Sequence, residues 1–250
     1  MVDKLDLNTK AQELREILGE DANSPVDIFA LANQIDGLSI VYYPLGDNIS
    51  GMCVKDDSVK LIAVNSTMSY GRQRFSLAHE LYHLYFDDLS GFHVCAKQFD
   101  PRSETEKRAD QFASYFIAPY KSLRTMVRKI CENGTLSLQN VIALEQYFGM
   151  SHQAMLWRLI SEGYLNKNDW EAYGAGVVSA ARSLGYDDKL YRPTEAALQK
   201  RTYGHYLKQV EELRQKDLVS AGKLDELLLD AFREDIAFGD DSETGGEAFD

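Results

Sequence analysis

Proline is scarce and cysteine scarcer in this 250-residue chain, which holds five of the first and three of the second. Cys53, Cys95 and Cys131 are odd in number, scattered and without CxxC spacing. That excludes a disulfide framework and points to free thiols in a reducing cytoplasm. No run approaches the roughly 18 apolar residues that a membrane-crossing helix needs, and the opening Met1–Asp6 lacks the charged-then-apolar pattern of a secretion signal. Positive charge is also short: 27 Lys+Arg stand against 39 Asp+Glu, a formal net charge of −12, of which −8 falls in residues 206–250. An acidic body repels nucleic-acid phosphates, which argues against DNA as the main ligand and leaves room for a basic protein partner.

What is present is a hydrophobic content of 44%, enough for the core of one or two domains. Residues 8–19 carry Ala11, Leu14, Ile17 and Leu18 on one helical face and end at Gly19. A second helix is expected to open at Ser24-Pro25, serine as N-cap and proline in the first position, and to stop at Gly37. The period then changes. Leu38–Tyr43, Ser50–Lys55 and Val59–Val64 are short β-branched or aromatic-rich runs, with Asp56-Asp57 supplying a turn between the last two. These predict a small, mostly antiparallel three-stranded sheet. Helical periodicity resumes over 70–86, a polar loop is expected over 87–102, and Glu104–Ile117 is helical again. Residues 136–165 read as helix–turn–helix about Gly149-Met150-Ser151. Residues 194–238 look all-helical, and the Gly-rich acidic tail 239–250 is expected to be disordered.

The chemistry concentrates in His79-Glu80-Leu81-Tyr82-His83. On a helix, His79 and His83 are i and i+4 and stack on one face, where two imidazoles can share a zinc ion and Glu80 can act on an activated water. The plainer alternative is a pair of buried histidines satisfied by hydrogen bonds. A catalytic zinc needs a third protein ligand. A third histidine six residues after His83 would fall at Leu89, which closes the three-histidine route. On the helix 104–117, Glu106, Ala109, Asp110, Ala113 and Ile117 form one stripe, so two acids share a core-facing side with two alanines. Such acids need a partner, because an unpaired buried carboxylate is costly. Glu106 is the candidate third ligand, and Asp110, one turn on, the candidate acceptor for the far nitrogen of a ligating histidine. The alternative is that both acids lie at a surface margin and pair with Lys107, Arg108 or Arg102.

Arg72-Gln73-Arg74-Phe75-Ser76-Leu77-Ala78 leading into the HELYH sequence resembles the RxRFTLAHELGH signature of the ImmA/IrrE family of metallo-endopeptidases. Glu106–Ala113 followed by Phe116-Ile117-Ala118-Pro119 resembles that family's second motif, ExxANxFAxxLLMP. Ser24–Ala32 and Ile49-Ser50-Gly51 match its usual opening. The resemblance covers about residues 8–165. It implies one Zn²⁺ per chain held by His79, His83 and Glu106, Glu80 as catalytic glutamate, and cleavage or loss of helix–turn–helix repressors or antitoxins. It departs from the pattern at Tyr82, Asp110 and Ala118. Tyr82 puts a large side chain near the site and is a candidate gate. Tyr82, Tyr115 and Tyr70 are candidates by type for stabilising the oxyanion. His93 and Cys95 form an HxC pair in the expected loop, read as ordinary loop residues in preference to an inhibitory ligand pair. The substrate is expected to lie extended along Ser50–Lys55 taken as an edge strand.

The resulting expectation is an α+β chain: a zincin-like metallopeptidase domain over 1–125, a helix-turn-helix-like region over 126–172, C-terminal helices over 173–238 and the tail. A DNA-binding reading of Ser151–Gly163 has only His152, Gln153 and Arg158 to offer, too little positive charge for phosphate contacts. A non-proteolytic toxin or stress regulator that acts by partner binding is the remaining alternative.

Overall fold

The carboxylate of Asp3 accepts hydrogen bonds from the Leu5 and Asp6 amides (3.0 and 3.1 Å) and so starts α1 (Lys4–Ile17) earlier than the apolar period alone predicts. The computed structural model describes residues 3–87, 91–96, 103–131 and 135–239, with 91–96 described by backbone alone. α2 (Ile28–Gln34) is capped by Asp27 rather than by Ser24. Two guanidiniums explain the shift. Arg15 donates to the Ser24 carbonyl and Arg74 to the Val26 carbonyl, each at 2.5 Å, which holds residues 24–26 out of the helix. Arg15 is wholly buried and also donates to the carbonyls of Asp21 (2.8 Å) and Phe116 (2.6 Å), so its charge is solvated by backbone oxygens.

The three expected strands form β1 (Leu38–Tyr43), β2 (Ile49–Lys55) and β3 (Lys60–Asn65). Asp56 closes the β2–β3 hairpin by accepting from the Ser58 and Val59 amides (2.7 and 2.8 Å). The sheet is larger than expected. With β4 (Gly91–Ala96) and β5 (Arg201–Gly204) it has five strands in the order β4-β2-β3-β1-β5. β1 runs parallel to β3 and the other pairings are antiparallel, so the sheet is mixed. β4 is short and set between polar flanks, which mask the alternation of Phe92, Val94 and Ala96 in its own sequence. β5 escapes the hydrophobic pattern because four residues inside a helix-like region carry no readable alternation. One consequence is that β2, flanked by β3 and β4, is an interior strand and not an edge.

Leu38, Ile40, Cys53, Ile62 and Val64 are buried on the sheet face covered by α3 (Tyr70–Phe86). α4 (Glu104–Ile117) packs on α3, and α1 packs on α4. α5 (Tyr120–Ile130) leads to the helix–turn–helix pair α6 (Leu138–Phe148) and α7 (His152–Ser161). α6 ends at Gly149, whose φ of +67° suits glycine, and the Arg74 guanidinium donates to its carbonyl at 2.8 Å. The arginine of the motif is therefore a clamp between α3, the α2 entry and the α6 exit.

Two of the three side chains that could have read DNA are engaged. His152 Nδ1 lies 2.6 Å from buried Glu145, its Nε2 lies 3.0 Å from the Tyr173 carbonyl, and Arg158 is wholly buried with its guanidinium 4.0 Å over the Tyr115 ring.

After α8 (Asp169–Tyr173) and α9 (Val177–Ser183), the chain crosses the N-terminus of α3. The Tyr70 amide donates to the Arg192 carbonyl (2.7 Å), and buried Gln73 donates to Thr194 Oγ1 (3.0 Å). The chain then enters β5 and continues into α10 (His205–Gln215), α11 (Ala221–Asp230) and α12 (Glu234–Ala237). The expected tail lies outside the described residues from 240 onward. Among the described residues, no helix is long and apolar enough to cross a membrane.

Candidate metal centre

α3 is buried along most of its length between the sheet and α4, so its polar residues either find partners inside or form a site. His79 and His83 project toward α4, where Ala109 and Ala113, both wholly buried, allow the two helices to approach closely. Glu106 stands in the first turn of α4, whose N-terminus is set by the Ser103 hydroxyl accepting from the Glu106 amide (3.3 Å).

The three side chains converge. His79 Nε2 and His83 Nε2 are 3.1 Å apart, and the Glu106 carboxylate lies 3.2 Å from the first and 3.4 Å from the second. Ligands at about 2.0–2.1 Å from a tetrahedral zinc sit about 3.3 Å from one another. The cluster therefore has the size of one face of such a tetrahedron, and among the described residues it is the His/Cys/Asp/Glu group able to hold a metal ion.

Both outer nitrogens are held by carboxylates. His79 Nδ1 lies 2.9 Å from Asp110 Oδ1, and His83 Nδ1 lies 2.5 Å from Asp87 Oδ2. An Nδ1–H donated to each acid leaves both Nε2 lone pairs facing the common point, the tautomer a metal requires. Asp87 is not among the residues singled out from sequence, because it falls at the start of the expected loop. Its spacing of four from His83, at the C-cap of α3, was the available signal.

Glu80 is wholly buried and turns from His79 toward β2, where it meets Gly51. Cys53, on the same face of β2, is buried, and its thiol is pushed up to about 12 by burial and then by the Glu80 charge. It is a protonated core residue. Cys131 is partly buried, and its thiol donates to the Thr135 carbonyl (3.3 Å); both cysteines are free. His93 and Cys95 belong to a strand, not a loop, paired with Cys53 and Gly51.

The tyrosines fall elsewhere. Tyr82 is 1% exposed and packs against Phe86 and Phe112 (ring centroids 5.8 and 5.5 Å), with burial pushing its hydroxyl pKa up. It fills the α3–α4 seam and does not form a mouth. Tyr115, nine residues after Glu106, is on the opposite face of α4, where its hydroxyl donates to Glu162 (3.1 Å). Tyr70 is at the first position of α3, with its ring against Phe29 (5.3 Å). None of the three is arranged to meet an oxyanion beside His79.

No curated protein sequence matches the chain at a significant level. The family model Peptidase_M78, described as the IrrE N-terminal-like domain, matches residues 34–159, half of the chain, and spans β1 through most of α7. That span contains both histidines, Glu80, Glu106 and both supporting aspartates, and the chain belongs to this IrrE N-terminal-like peptidase family.

Proposed function

We propose that the chain is a zinc-dependent endopeptidase that hydrolyses a peptide bond in a regulatory protein, with His79, His83 and Glu106 as metal ligands and Glu80 as general base. The observation that carries this reading is the convergence of the three ligand atoms at 3.1–3.4 Å, with Glu80 adjacent in sequence to the first. A zinc ion bound there would supply Lewis acidity, polarising a carbonyl and lowering the pKa of a water. Glu80 supplies the proton chemistry. Its carboxylate takes a proton from the attacking water and returns it to the leaving amine. Asp110 and Asp87 are positioning residues that fix the two imidazoles through Nδ1.

The interior position of β2 moves the expected docking strand outward. An extended substrate would add to the outer edge of β4, the terminal strand next to β2. A helix–turn–helix repressor or antitoxin as the substrate rests on the family resemblance. The buried Arg158 and the engaged His152 support a packing or partner-docking role for α6–α7 over DNA reading.

The test is Glu80→Gln beside His83→Ala, each incubated with a helix–turn–helix repressor encoded next to the protein. Glu80→Gln should abolish cleavage and keep one metal ion per chain, whereas His83→Ala should lose the metal. Cleavage that survives Glu80→Gln would rule out the peptidase mechanism.

A further inference from the structure

α5 turns Leu123 and Val127 inward and exposes Lys121, Arg124, Arg128 and Lys129. Among the described residues, none of these four cations has a carboxylate within ion-pair distance. Several other exposed cations are paired, Arg182 and Arg192 with Asp188, Arg214 with Glu211, and Lys223 with Glu226. Among the described residues Lys60, Lys167, Lys189, Lys200 and Lys208 also lack a carboxylate in ion-pair range; what distinguishes α5 is that four such cations share one short helix. Lys121, Arg124 and Arg128 are spaced i, i+3 and i+7 and so repel along one stripe. The cationic face stands on a chain of net charge −12. Glu162 is close enough to act electrostatically on Tyr164 together with Arg124 and Arg128. Its carboxylate, however, is engaged by Arg158 Nε (3.3 Å) and the Tyr115 hydroxyl. Tyr120, 39% exposed, and the partly buried Tyr164 add aromatic surface beside the stripe.

We propose that this face of α5 docks an acidic segment of a protein partner. The charge complementarity is local, and that selects the kind of anion. A duplex nucleic acid would bring about one negative charge per 1.7 Å across the whole surface, against the acidic remainder of the chain. A short acidic peptide meets the stripe alone. The position also fits the site. Glu106 and the start of α5 are separated by most of α4, about 20 Å at the helical rise, which about six extended residues cover. One polypeptide can therefore engage α5 and present a neighbouring segment to Glu80. This last use rests on the peptidase reading, whereas the docking itself does not.

The probe is a fluorescein-labelled peptide of consecutive glutamates, titrated with the full-length protein and followed by anisotropy. The structure calls for saturable binding at low salt that weakens strongly by about 300 mM salt. Lys121→Glu combined with Arg124→Glu and Arg128→Glu should weaken it by at least about tenfold. The glutamine counterparts of the same three changes should show an intermediate loss, with unchanged circular dichroism in both variants. Absence of peptide binding, or equal affinity in the charge-reversed protein, overturns the proposal. So does a DNA duplex that binds more tightly than the peptide, which would reassign the stripe to nucleic acid. Because no step is read through hydrolysis, a failed peptidase mechanism leaves this result standing, and the reverse holds as well.

Discussion

Gly51 of β2 and Glu80 of α3 meet with no space for a side chain between them: a Cβ on Gly51 would lie 2.5 Å from Glu80 Oε1 and 3.2 Å from the Ala63 carbonyl oxygen. The sheet thus fixes the Glu80 carboxylate from behind, and the match of Ile49-Ser50-Gly51 to the family opening acquires a physical reason. Gly51→Ala should push the carboxylate, the more flexible party, out of position. The expected outcome is a fall in kcat of about tenfold or more with KM and metal content little changed. Steady-state kinetics alongside metal analysis would check it, and an unaltered kcat would show that Glu80 tolerates displacement.

Asp110 and Asp87 each accept from the Nδ1 of one histidine, so each should contribute to metal affinity without touching the ion. Asp110→Asn and Asp87→Asn are expected to weaken metal binding by about 10–100-fold apiece. Competition against a chromophoric chelator measures this directly. Should either variant bind metal as tightly as the parent, that carboxylate does not orient its imidazole.

Gly149 and Gly163 share a left-handed conformation, with φ of +67° and +76°, yet differ in surroundings. A Cβ at Gly149 would meet Arg74 Nε at 2.6 Å, whereas nothing lies within 4 Å at Gly163. Gly163→Ala should cost about 1 kcal/mol, the conformational term alone. Gly149→Ala should cost about 2–3 kcal/mol, because it also displaces a buried guanidinium that clamps three elements. Urea unfolding of the two variants separates the contributions, and equal losses would remove the clamp from the account.

The site was legible in the sequence to the extent that it depends on helical rotation. His79, His83, Glu106 and Asp110 follow from spacing along two helices, and each lies where that spacing directs it. Asp87 obeys the same spacing, but it is the C-cap just beyond the last helical residue and opens the polar run that reads as a loop, so its i+4 relation to His83 is easily passed over. Tyr115 shows the converse: its residue type suggested a role, while nine residues from Glu106 turn it to the far side of α4. The sheet was less readable. Alternation identifies a strand without naming its neighbour, so nothing in Leu38–Tyr43 reveals that it runs parallel to β3 or that Ser39–Tyr42 pair with Arg201–Gly204. β5 reaches β1 from more than a hundred residues away, and that pairing, with the Gln73–Thr194 bond, ties the C-terminal helices to the sheet and to the metal-site helix.

Asp21 offers a pH test of the loop that seats buried Arg15. Its carboxylate is held down at about 2, first by the Ser24 side chain and then by the Ser24 and Asn23 amides. An unfolded aspartate titrates near about 3.9. A folded pKa below the unfolded one means that the ionised form stabilises the fold. The contribution is present above about pH 4 and is lost as pH falls through the folded value. Asp21→Asn removes the charge and keeps the shape. The variant should therefore melt below the parent near neutrality, and the gap should close as pH approaches about 2. Melting temperatures measured for both proteins between neutral and strongly acidic pH would show the convergence. A gap that persists unchanged would mean that Asp21 acts through loop geometry alone, since its own carbonyl still accepts from Arg15 Nε at 2.8 Å in either protonation state.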